Sequence, residues 1–579
     1  MIKEIEQQFQ KIFLKSWYPL FCIALAIFLV YSSTLLSDIV YLDDNVLITG
    51  QYQFNQDLTN ISQAFKEDIF RTPQGGGTFY RPVERLSFML DAQFGEYALI
   101  FVSHLSNILL HILAMILLYL FLLKINIKKE IAFLFVFIFS VHPLTAQTVA
   151  FLVGRNDSLL AIFVFPSLIF FIDFLQKQKY KYLIWHFIFY AIALFTKETA
   201  VVIPVICSLY LLIFAGFRQI IINYKFCLKL ISGWFLITGL WFVIRLSVLG
   251  RFIGNAEYNI FLSIYKNLPS LLPATGKVFL PFDLSVFPVM KDMSLVYGII
   301  SLIFLTIWFI LSEKKNLKLI GFGLSWFFIF IFLTLVKPIS TVPEFSENRI
   351  YMPMFGFIFV ILGLGMIKLP LVLKEKINSK ESKKIIILFT SLILVLILST
   401  VTIYRNQYYK DKFNFWKNAT ETSPSFAFNH NNLGAMQYLN GDFKNAEMEF
   451  KKALELNPEE KMAHNNLGLI YASQNKFASA EDEYKKELEI NPNYDNAYYN
   501  LGLLYFKESK FKEAEKSWQT TLMINPNYTD AIKSLTLYYY EQNNYKELLP
   551  YANELYRRGY ELPPEILKAL QTYIKNKNF

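Results

Sequence analysis

The sequence predicts an all-α protein of two parts, a polytopic helical membrane bundle followed by a solenoid of helical repeats. Three observations support this fold class. Up to about residue 405 the chain consists of long apolar runs separated by short basic loops, whereas a polar segment with a 34-residue period follows. Aromatic residues make up 17% of the 579 residues. The apolar content is concentrated in runs of membrane-spanning length, which excludes a single soluble core.

About eleven apolar runs are predicted to cross the membrane, since each approaches the length that a bilayer core requires. They are residues 17–37, 101–123, 131–150, 158–175, 183–196, 200–215, 230–248, 294–311, 319–336, 350–368 and 384–404. The lysine-rich connections between them are residues 124–130, 176–182, 216–229, 313–318 and 368–384. All of these connections fall on the inner side if the N-terminus is cytoplasmic, as positively charged loops do. The net charge of +10 therefore reflects membrane topology, and no nucleic-acid partner is predicted.

This orientation predicts a multi-pass protein of the plasma (inner) membrane, with a cytoplasmic N-terminus and with the repeats outside the cytoplasm. One part of the chain leaves the number of crossings open. Residues 260–290 are apolar but contain Pro269, Pro273, Pro281 and Pro288, so they form either a re-entrant segment or a short helix pair. A single crossing there would reverse the side of the next lysine-rich loop, which the charge distribution disfavours.

The membrane domain is predicted over residues 1–411, with a first external loop at 38–100, and the repeat domain over 412–579. Four kinds of position recur in the repeat domain every 34 residues, and the pattern resembles the tetratricopeptide repeat. They are Leu433-Gly434, Leu467-Gly468 and Leu501-Gly502, then Ala446, Ala480 and Ala514, then Phe450, Tyr484 and Trp518, and finally Asn457-Pro458, Asn491-Pro492 and Asn525-Pro526. Small residues let two helices approach, aromatic residues fill the space between them, and proline ends the second helix.

The predicted repeats are residues 427–460, 461–494 and 495–528, followed by a degenerate cap at 529–579. The cap has lost the Leu-Gly pair, as terminal repeats often do. The period also bears on two histidines. His430 and His464 are 34 residues apart, each in the sequence His-Asn-Asn-Leu-Gly, so they are equivalent repeat positions and not a pair of metal ligands.

Charged residues at the predicted outer ends of the apolar runs are the candidate functional residues, because charge at membrane depth is costly. They are Asp43, Asp44, Arg81, Arg85, His142, Arg155, Asp157, Lys197, Glu198, Glu347 and Arg349. Such a set suits transfer from a lipid-linked phosphate donor. A carboxylate would accept the proton of an incoming hydroxyl, while arginine and lysine stabilise the departing phosphate.

Several of these residues also have a purely structural interpretation. The pair Asp43-Asp44 is consistent with the cap of an interfacial helix, Lys197-Glu198 with a local ion pair, and His142 with a helix end. For His104 and His111, on one face of the second apolar run, a packing role is favoured over a catalytic one. The glycines at 75–77 lack the Gly-Lys-Ser/Thr sequence of a phosphate-binding loop.

Five motifs along the chain resemble those of one enzyme family. They are YLDDN (41–45), FYRPVERLSFMLD (79–91), FSVHPLTAQTVAFLVGRND (139–157), LFTKETAVVIP (194–204) and FSENRIYMP (345–353). Their order, followed by the repeats, resembles the C-type glycosyltransferase superfamily. The resemblance is closest to the transmembrane and tetratricopeptide-repeat O-mannosyltransferases and their prokaryotic relatives. It implies an inverting transfer of a sugar, with mannose one candidate, from a polyprenyl-phosphate donor to a protein hydroxyl or surface glycan outside the cytoplasm.

The same resemblance implies roles for particular residues. Asp43 or Asp44 would be the catalytic base, and Arg155, Lys197 and Arg349 would bind the donor phosphate. The supporting residues are Arg81, His142, Asp157, Glu198 and Glu347. Gln147 departs from the family pattern, because relatives usually carry an acidic residue after His-Pro, so a catalytic or metal role at that position is in doubt.

The predicted partners are the lipid-linked sugar, the bilayer, and an acceptor protein or glycan recruited by the repeats. No cofactor and no metal site is predicted, although the sequence leaves a divalent metal open. Two other functions remain as alternatives. The first is a non-enzymatic scaffold in which the membrane part anchors a partner-binding array. The second is a transporter of lipid-linked sugar or a polymer ligase, which would need more polar groups deep within the spans than the sequence shows.

Overall fold

The computed structural model describes residues 17–70, 79–215, 224–250, 260–336, 347–365 and 380–577, and within these ranges the chain is helical and contains no β-strand. The chain divides into two compact units, Met1–Ser423 and Pro424–Phe579. The glycines at 75–77 and parts of the predicted inner loops 216–229 and 368–384 lie outside the described residues.

The first unit is built from helices that follow the apolar runs of the sequence. Its helices of eight or more residues are Tyr18–Tyr31, Pro82–Ala92, Leu99–Lys124, Lys129–Ser140, Arg155–Lys177, Tyr180–Thr196, Ile203–Tyr210, Tyr224–Leu249, Ile260–Asn267, Leu271–Phe279, Val296–Leu311, Leu317–Leu335, Gly356–Leu364, Lys380–Asn406 and Lys412–Thr422. Proline sets some of the breaks between them. Pro143, which has no N–H to donate, follows the end of Lys129–Ser140, and the chain bends there by 55° before Pro143–Val149.

The expected number of about eleven membrane spans is not confirmed. Six helices in the described residues are long and apolar enough to cross a bilayer, namely Tyr18–Leu36, Glu96–Lys124, Leu152–Lys177, Cys227–Leu249, Leu317–Leu335 and Phe389–Tyr409. The number rises to eight if two bent pairs, Lys129–Ser140 with Pro143–Val149 and Glu347–Met354 with Gly356–Leu364, each form one span. The other three predicted runs form shorter apolar helices, because breaks in the chain leave each of them 17 residues or fewer.

The proline-rich segment 260–290 forms two short helices, one of the two alternatives expected from the sequence. Ile260–Asn267 and Leu271–Phe279 are joined by the turn Leu268–Ser270. The second helix packs closely on the helix Val296–Leu311, since a side chain at Gly276 would come within 2.6 Å of the backbone nitrogen of Gly298. The segment is therefore a packed part of the first unit.

The helix Lys412–Thr422, called the linker helix below, belongs to the first unit. The structure divides the two units after Ser423, whereas the sequence placed the boundary at residue 411. Asp411 caps the linker helix by accepting a hydrogen bond from the backbone N–H of Asn414 at 2.8 Å. Trp416 of this helix is completely buried. The helix therefore completes the membrane unit before the repeats begin.

The second unit consists of four helix pairs and a final helix. Their bounds are Ala427–Leu439 and Phe443–Leu456, Ala463–Ser473 and Phe477–Ile490, Asp495–Lys507 and Phe511–Ile524, Thr529–Glu541 and Tyr545–Arg557, and Pro564–Lys577. The recurring residues pack as their sizes require. A side chain at Gly468 would come within 2.6 Å of the Tyr484 ring, and Ala480 is completely buried in the same repeat. The close approach of the two helices in each of the first three pairs therefore depends on a glycine that faces an aromatic ring.

The two repeat histidines occupy equivalent positions, as the period predicted. Nδ1 of His430 lies 2.6 Å from the carboxylate of Glu449, and Nδ1 of His464 lies 2.6 Å from that of Glu483. Each contact lies within its own repeat. The histidines are therefore matched structural positions of the array and not a metal-binding pair.

Candidate functional site

The helix Pro82–Ala92 carries two charged side chains toward a junction between later helices. Pro82 is the first helical residue, and Arg81 stands immediately before it. The Arg81 guanidinium donates two hydrogen bonds to the Glu198 carboxylate, from Nε at 3.0 Å and from Nη2 at 2.7 Å. Glu84, one turn along, lies 3.6 Å from Nη1 of Arg81. A paired arginine–carboxylate contact of this kind fixes both groups in orientation.

Lys197 and Glu198 do not form the local ion pair that was one interpretation of the sequence. Lys197 donates instead to the Asp157 carboxylate at 2.6 Å and to the Asn156 side-chain oxygen at 2.9 Å. The Asn156 amide in turn donates to Glu84 at 3.2 Å. The start of the helix Arg155–Lys177 is thereby tied to the 197–198 junction and to the first loop.

Arg349 completes this arrangement from a fourth segment of the chain. It lies in the turn Glu347–Ile350, within electrostatic reach of Arg81, Asp157 and Glu198. Its Nη1 atom is buried and has no hydrogen-bond partner among the residues that the structure describes. The resulting set is called the charged cluster below and consists of Arg81, Glu84, Asp157, Lys197, Glu198 and Arg349.

At Arg81 and Glu84, burial and the neighbouring charges shift the pKa in opposite directions. Burial raises the pKa of the Glu84 carboxyl, an effect that the Arg81 guanidinium opposes. For Arg81 burial acts to lower the pKa, but the carboxylates of Glu198 and Glu84 outweigh it and the pKa lies above its ordinary value. Arg81 therefore stays charged, and the cluster presents fixed positive charge beside a carboxyl that is easier to protonate than usual.

The two adjacent aspartates differ in their surroundings. They lie in the segment Val40–Asn45, called the acidic loop below. The Asp44 carboxylate is buried and accepts hydrogen bonds from the backbone N–H groups of Val40, Leu42 and Asn45, at 2.6, 3.2 and 3.0 Å. Burial raises the pKa of Asp44, while these N–H groups act to lower it. Asp43 is half-buried. Asp44 thus organises the loop.

Arg155 lies apart from the contacts of the charged cluster. Its guanidinium donates to the Asp91 carboxylate at 2.6 Å and to the Ser103 carbonyl at 2.9 Å, and it stacks over the Phe88 ring at 4.4 Å. The side chain is completely buried. Because Asp91 neutralises it, the geometry gives Arg155 a role in joining helices, and the donor-phosphate role that the resemblance implied stays a prediction.

His142 and Glu347 have structural partners as well. The His142 ring donates from Nε2 to the Val278 carbonyl at 3.1 Å and accepts at Nδ1 from the Leu144 N–H at 3.2 Å. Glu347 forms a buried triad with Lys277 and Arg405, in which Lys277 Nζ lies 2.5 Å from Oε1 and Arg405 donates to Oε2. Both side chains therefore hold nearby backbone segments in place, and a supporting role in a reaction stays a prediction.

Gln147 and the two helical histidines also have packing roles. The Gln147 side chain accepts from the Asn348 N–H at 2.9 Å and donates to the Val286 carbonyl at 3.3 Å. His111 bonds to the Tyr351 hydroxyl and the Ser140 carbonyl, and His104 is completely buried in the same helix. Across the described ranges, no three histidine, cysteine, aspartate or glutamate side chains are grouped so that they could hold a metal ion.

Several residues of the site were missed by sequence reasoning. They are Glu84, Asp91, Lys277 and Arg405. For Glu84 a signal was available, because it follows Arg81 by three residues in the motif FYRPVERLSFMLD and therefore shares a helix face with it. Asp91 ends the same motif, but nothing local in the sequence marked its partner. Nothing local marked Lys277 or Arg405, whose partner lies more than 50 residues away along the chain.

Family comparisons agree with the predicted resemblance. Residues 86–242 match the family described as dolichyl-phosphate-mannose-protein mannosyltransferase. Residues 429–460, 468–509 and 496–528 match tetratricopeptide-repeat families. Together these matches support a C-type glycosyltransferase with tetratricopeptide repeats, as the motifs indicated.

Comparison with individual proteins adds no function. No curated protein matches the chain. Among solved structures, a crystal structure of MamA is 21% identical and covers 28% of this chain and 90% of its own, with a TM-score of 0.23. MamA from Desulfovibrio magneticus is 18% identical, with 25% and 82% covered and a TM-score of 0.23. PilF of Pseudomonas aeruginosa is 21% identical, with 28% and 75% covered and a TM-score of 0.26.

Proposed function

We propose that this membrane protein, whose residues 86–242 match a lipid-linked mannosyltransferase family, transfers a sugar from a polyprenyl-phosphate donor to an acceptor hydroxyl. The observation that carries the proposal is the charged cluster. Four separate segments bring three basic and three acidic side chains together in a largely buried site. Fixed charges in a water-poor site stabilise a departing phosphate far better than charges in water do.

Arg349 is the residue proposed to bind the donor phosphate directly. Arg81 is paired with Glu198 and Lys197 with Asp157, so their charges are partly neutralised within the protein. Arg349 has a buried guanidinium nitrogen without a hydrogen-bond partner among the described residues. A phosphate oxygen would supply that partner in a charge-assisted hydrogen bond. Arg81 and Lys197 then hold the surrounding carboxylates in place and add to the positive potential.

Asp43 is the proposed catalytic base. The three backbone hydrogen bonds that Asp44 accepts count against this role for Asp44, whereas Asp43 is half-buried in the same loop. The Asp43 carboxylate would take the proton of the acceptor hydroxyl as its oxygen bonds to the anomeric carbon. The bond from that carbon to the phosphate oxygen breaks in the same step, and polyprenyl phosphate leaves with the electron pair. A single displacement of this kind inverts the anomeric configuration.

The repeats are proposed to recruit the acceptor, a protein or a surface glycan, on the non-cytoplasmic side of the membrane. Two observations support this assignment. The lysine-rich loops favour a cytoplasmic N-terminus, and the end of the chain lies outside if the three shorter apolar helices cross the bilayer together with the six long helices and the two bent pairs. The C-terminal unit matches tetratricopeptide repeats, a fold whose extended concave surfaces bind partners.

The direct test uses the full chain in proteoliposomes. Polyprenyl phosphate carrying a radiolabelled hexose, one sugar at a time and beginning with mannose, is supplied together with an extract of exported proteins and surface glycans. The expected result is label in the acceptor fraction from at least one lipid donor. No label should appear there when the same sugar is supplied as a nucleoside-diphosphate sugar. A chain that transfers no lipid-linked sugar would favour the non-enzymatic scaffold and contradict the proposal.

A further inference from the structure

The linker helix holds the acidic loop of the proposed site. Trp416 donates a hydrogen bond from its indole N–H to the Val40 carbonyl at 3.0 Å. At the start of the same helix, the Lys412 ammonium lies 4.6 Å from the centre of the Tyr41 ring. Just before the helix, the Lys410 carbonyl accepts from the Asp38 N–H at 2.7 Å. The segment that leads into the repeats is therefore bonded to three residues of the loop region.

These contacts hold a backbone conformation that is rarely adopted. Tyr41 has φ of +60°, in the left-handed region that a bulky side chain seldom occupies without support. Val40, next to it, is held from both sides, since its N–H donates to Asp44 and its carbonyl accepts from Trp416. Asp43 follows two residues after Tyr41. The backbone that carries Asp43 is therefore held by the linker helix as well as by Asp44.

The same helix also supports the turn that carries Arg349. The Asn418 side-chain oxygen accepts from the Val286 N–H at 3.2 Å, and the hydroxyls of Thr422 and Ser285 are 2.6 Å apart. Residue 285 continues the connection, because its N–H donates to the Glu347 carboxylate at 3.0 Å. The segment 285–286 therefore contacts both the linker helix and Glu347, the first residue of the turn Glu347–Ile350.

We propose that the linker helix is a positioning element of the transferase site, with Trp416 fixing the acidic loop and Asn418 supporting the turn that carries Arg349. The inference rests on the proposed function and deepens it. Both residues act through the residues that they hold, Trp416 through Val40 and Asn418 through Val286. The catalytic unit accordingly includes a helix that the sequence assigned to the repeat domain.

The test compares single substitutions in the full-length chain. Trp416→Phe keeps an aromatic ring but removes the hydrogen bond to Val40. We expect kcat for sugar transfer to fall by about tenfold to a hundredfold, because small displacements of a catalytic group have effects of that size. The KM for the polyprenyl-phosphate sugar should stay within about twofold, since the Arg349 side of the site is not altered. Lys417→Ala, at an exposed position of the same helix, is the matched control and should leave both constants unchanged.

A double substitution distinguishes positioning from a general loss of structure. If Trp416 acts through Asp43, Trp416→Phe should cause no further loss in a chain that already carries Asp43→Asn. A general structural defect would lower the residual rate of Asp43→Asn by the same factor as it lowers the unmodified rate, and that result would overturn the inference.

Lys412→Gln provides a second test that does not depend on replacing a buried residue. It removes the ammonium group over the Tyr41 ring at a partly exposed position, and we expect a loss of about twofold to fivefold in kcat. If Trp416→Phe does not fold, Lys412→Gln alone tests the inference, and an unchanged kcat for Lys412→Gln would overturn it. Absence of transfer by the unmodified chain would overturn the proposed function together with this inference, whereas transfer that is insensitive to the linker helix would overturn this inference alone.

Discussion

The two units of the molecule use charged residues in opposite ways. In the membrane unit, most ion pairs join distant segments and several are buried, as in Arg155–Asp91 and Lys197–Asp157. In the repeat unit, the pairs are mostly exposed and lie within one helical turn, as in Lys485–Glu481 and Lys452–Glu455. The first kind specifies where remote parts of the chain meet, and the second kind accompanies helices that face water.

This difference indicates where the chemistry lies. Removing charges from water costs several kcal/mol for each ion, and a protein recovers that free energy only through good pairing. A bundle held together by apolar packing alone would not need such groups, so their concentration in the membrane unit requires an explanation. Exposed pairs add only about 0.3–0.5 kcal/mol each to a helix and carry no comparable implication. The membrane unit is therefore the proposed catalytic part, and the repeats are the accessory part.

The largest effect on folding is expected at the buried triad. Glu347→Leu would leave Lys277 and Arg405 without their shared carboxylate, and we expect a loss of about 3–5 kcal/mol in the free energy of unfolding. Thermal unfolding of the detergent-solubilised chain measures this loss. Glu455→Gln, in an exposed pair of the repeats, is the control and should change stability by less than about 0.5 kcal/mol. Equal effects at the two positions would remove the contrast between the units.

The next effect is on activity and concerns Arg349. Arg349→Gln removes the guanidinium proposed to bind the donor phosphate, and we expect kcat to fall by about 10²–10³, as for loss of one electrostatic stabiliser. Steady-state transfer from the lipid donor measures this, with unfolding temperature as the check on folding. Arg557→Gln serves as the control, because that arginine is exposed in the repeats. An Arg349 variant with the unmodified rate would exclude the residue from phosphate binding.

A smaller effect should be confined to the repeats. Gly468→Ala places a methyl group against the Tyr484 ring, and we expect the repeat unit to lose about 1–3 kcal/mol through overpacking. Limited proteolysis of the repeats should follow this loss, while thermal unfolding of the membrane unit stays unchanged. Gly239→Ala, where a side chain would meet nothing within 4 Å, is the matched control in the membrane unit. A lower unfolding temperature of the membrane unit in Gly468→Ala would show that the two units do not unfold separately.

The smallest effect is expected for an exposed pair. Lys485→Ala removes the partner of Glu481 on the helix Phe477–Ile490, and about 0.3–0.5 kcal/mol should be lost. Thermal unfolding at low and at high salt measures this, and added salt should reduce the difference between variant and parent. A loss above about 2 kcal/mol would mean that exposed ion pairs of the repeats also contribute strongly to the free energy of unfolding.

Much of the fold could be predicted because it depends on local pattern. The 34-residue period located the helix pairs, and the apolar runs located the helices of the membrane unit, since both signals lie within short stretches of sequence. The number of spans was less predictable, because helix length depends on where breaks such as Pro143 fall. The sequence assigned the linker helix to the repeat domain because its polar sequence resembles that of the repeats, whereas its buried contacts, such as Trp416 to Val40, are tertiary.

The site was predictable in part for the same reason. Charges at the ends of apolar runs stand out in the sequence, and Arg81, Lys197 and Arg349 do lie in one cluster with Asp157 and Glu198. Which basic residue is neutralised could not be read from the sequence, because a partner such as Asp91 for Arg155 is chosen by packing over a separation of 64 residues.

Adjacent residues of one type posed a similar difficulty. The sequence does not distinguish Asp43 from Asp44, since both are aspartates in the same motif. The loop backbone makes the distinction, because it turns one carboxylate inward to accept its own N–H groups.

The most direct test of the proposed function is the rate of sugar transfer by the full-length chain with Asp43→Asn, compared with Asp44→Asn. We predict that Asp43→Asn lowers kcat by about 10²–10⁴, as for loss of a general base, with the unfolding temperature unchanged. Asp44→Asn should lower the yield of folded protein while each folded molecule still transfers sugar. Transfer at the full rate by Asp43→Asn would contradict the assignment of the base and, with it, the catalytic role given to the acidic loop.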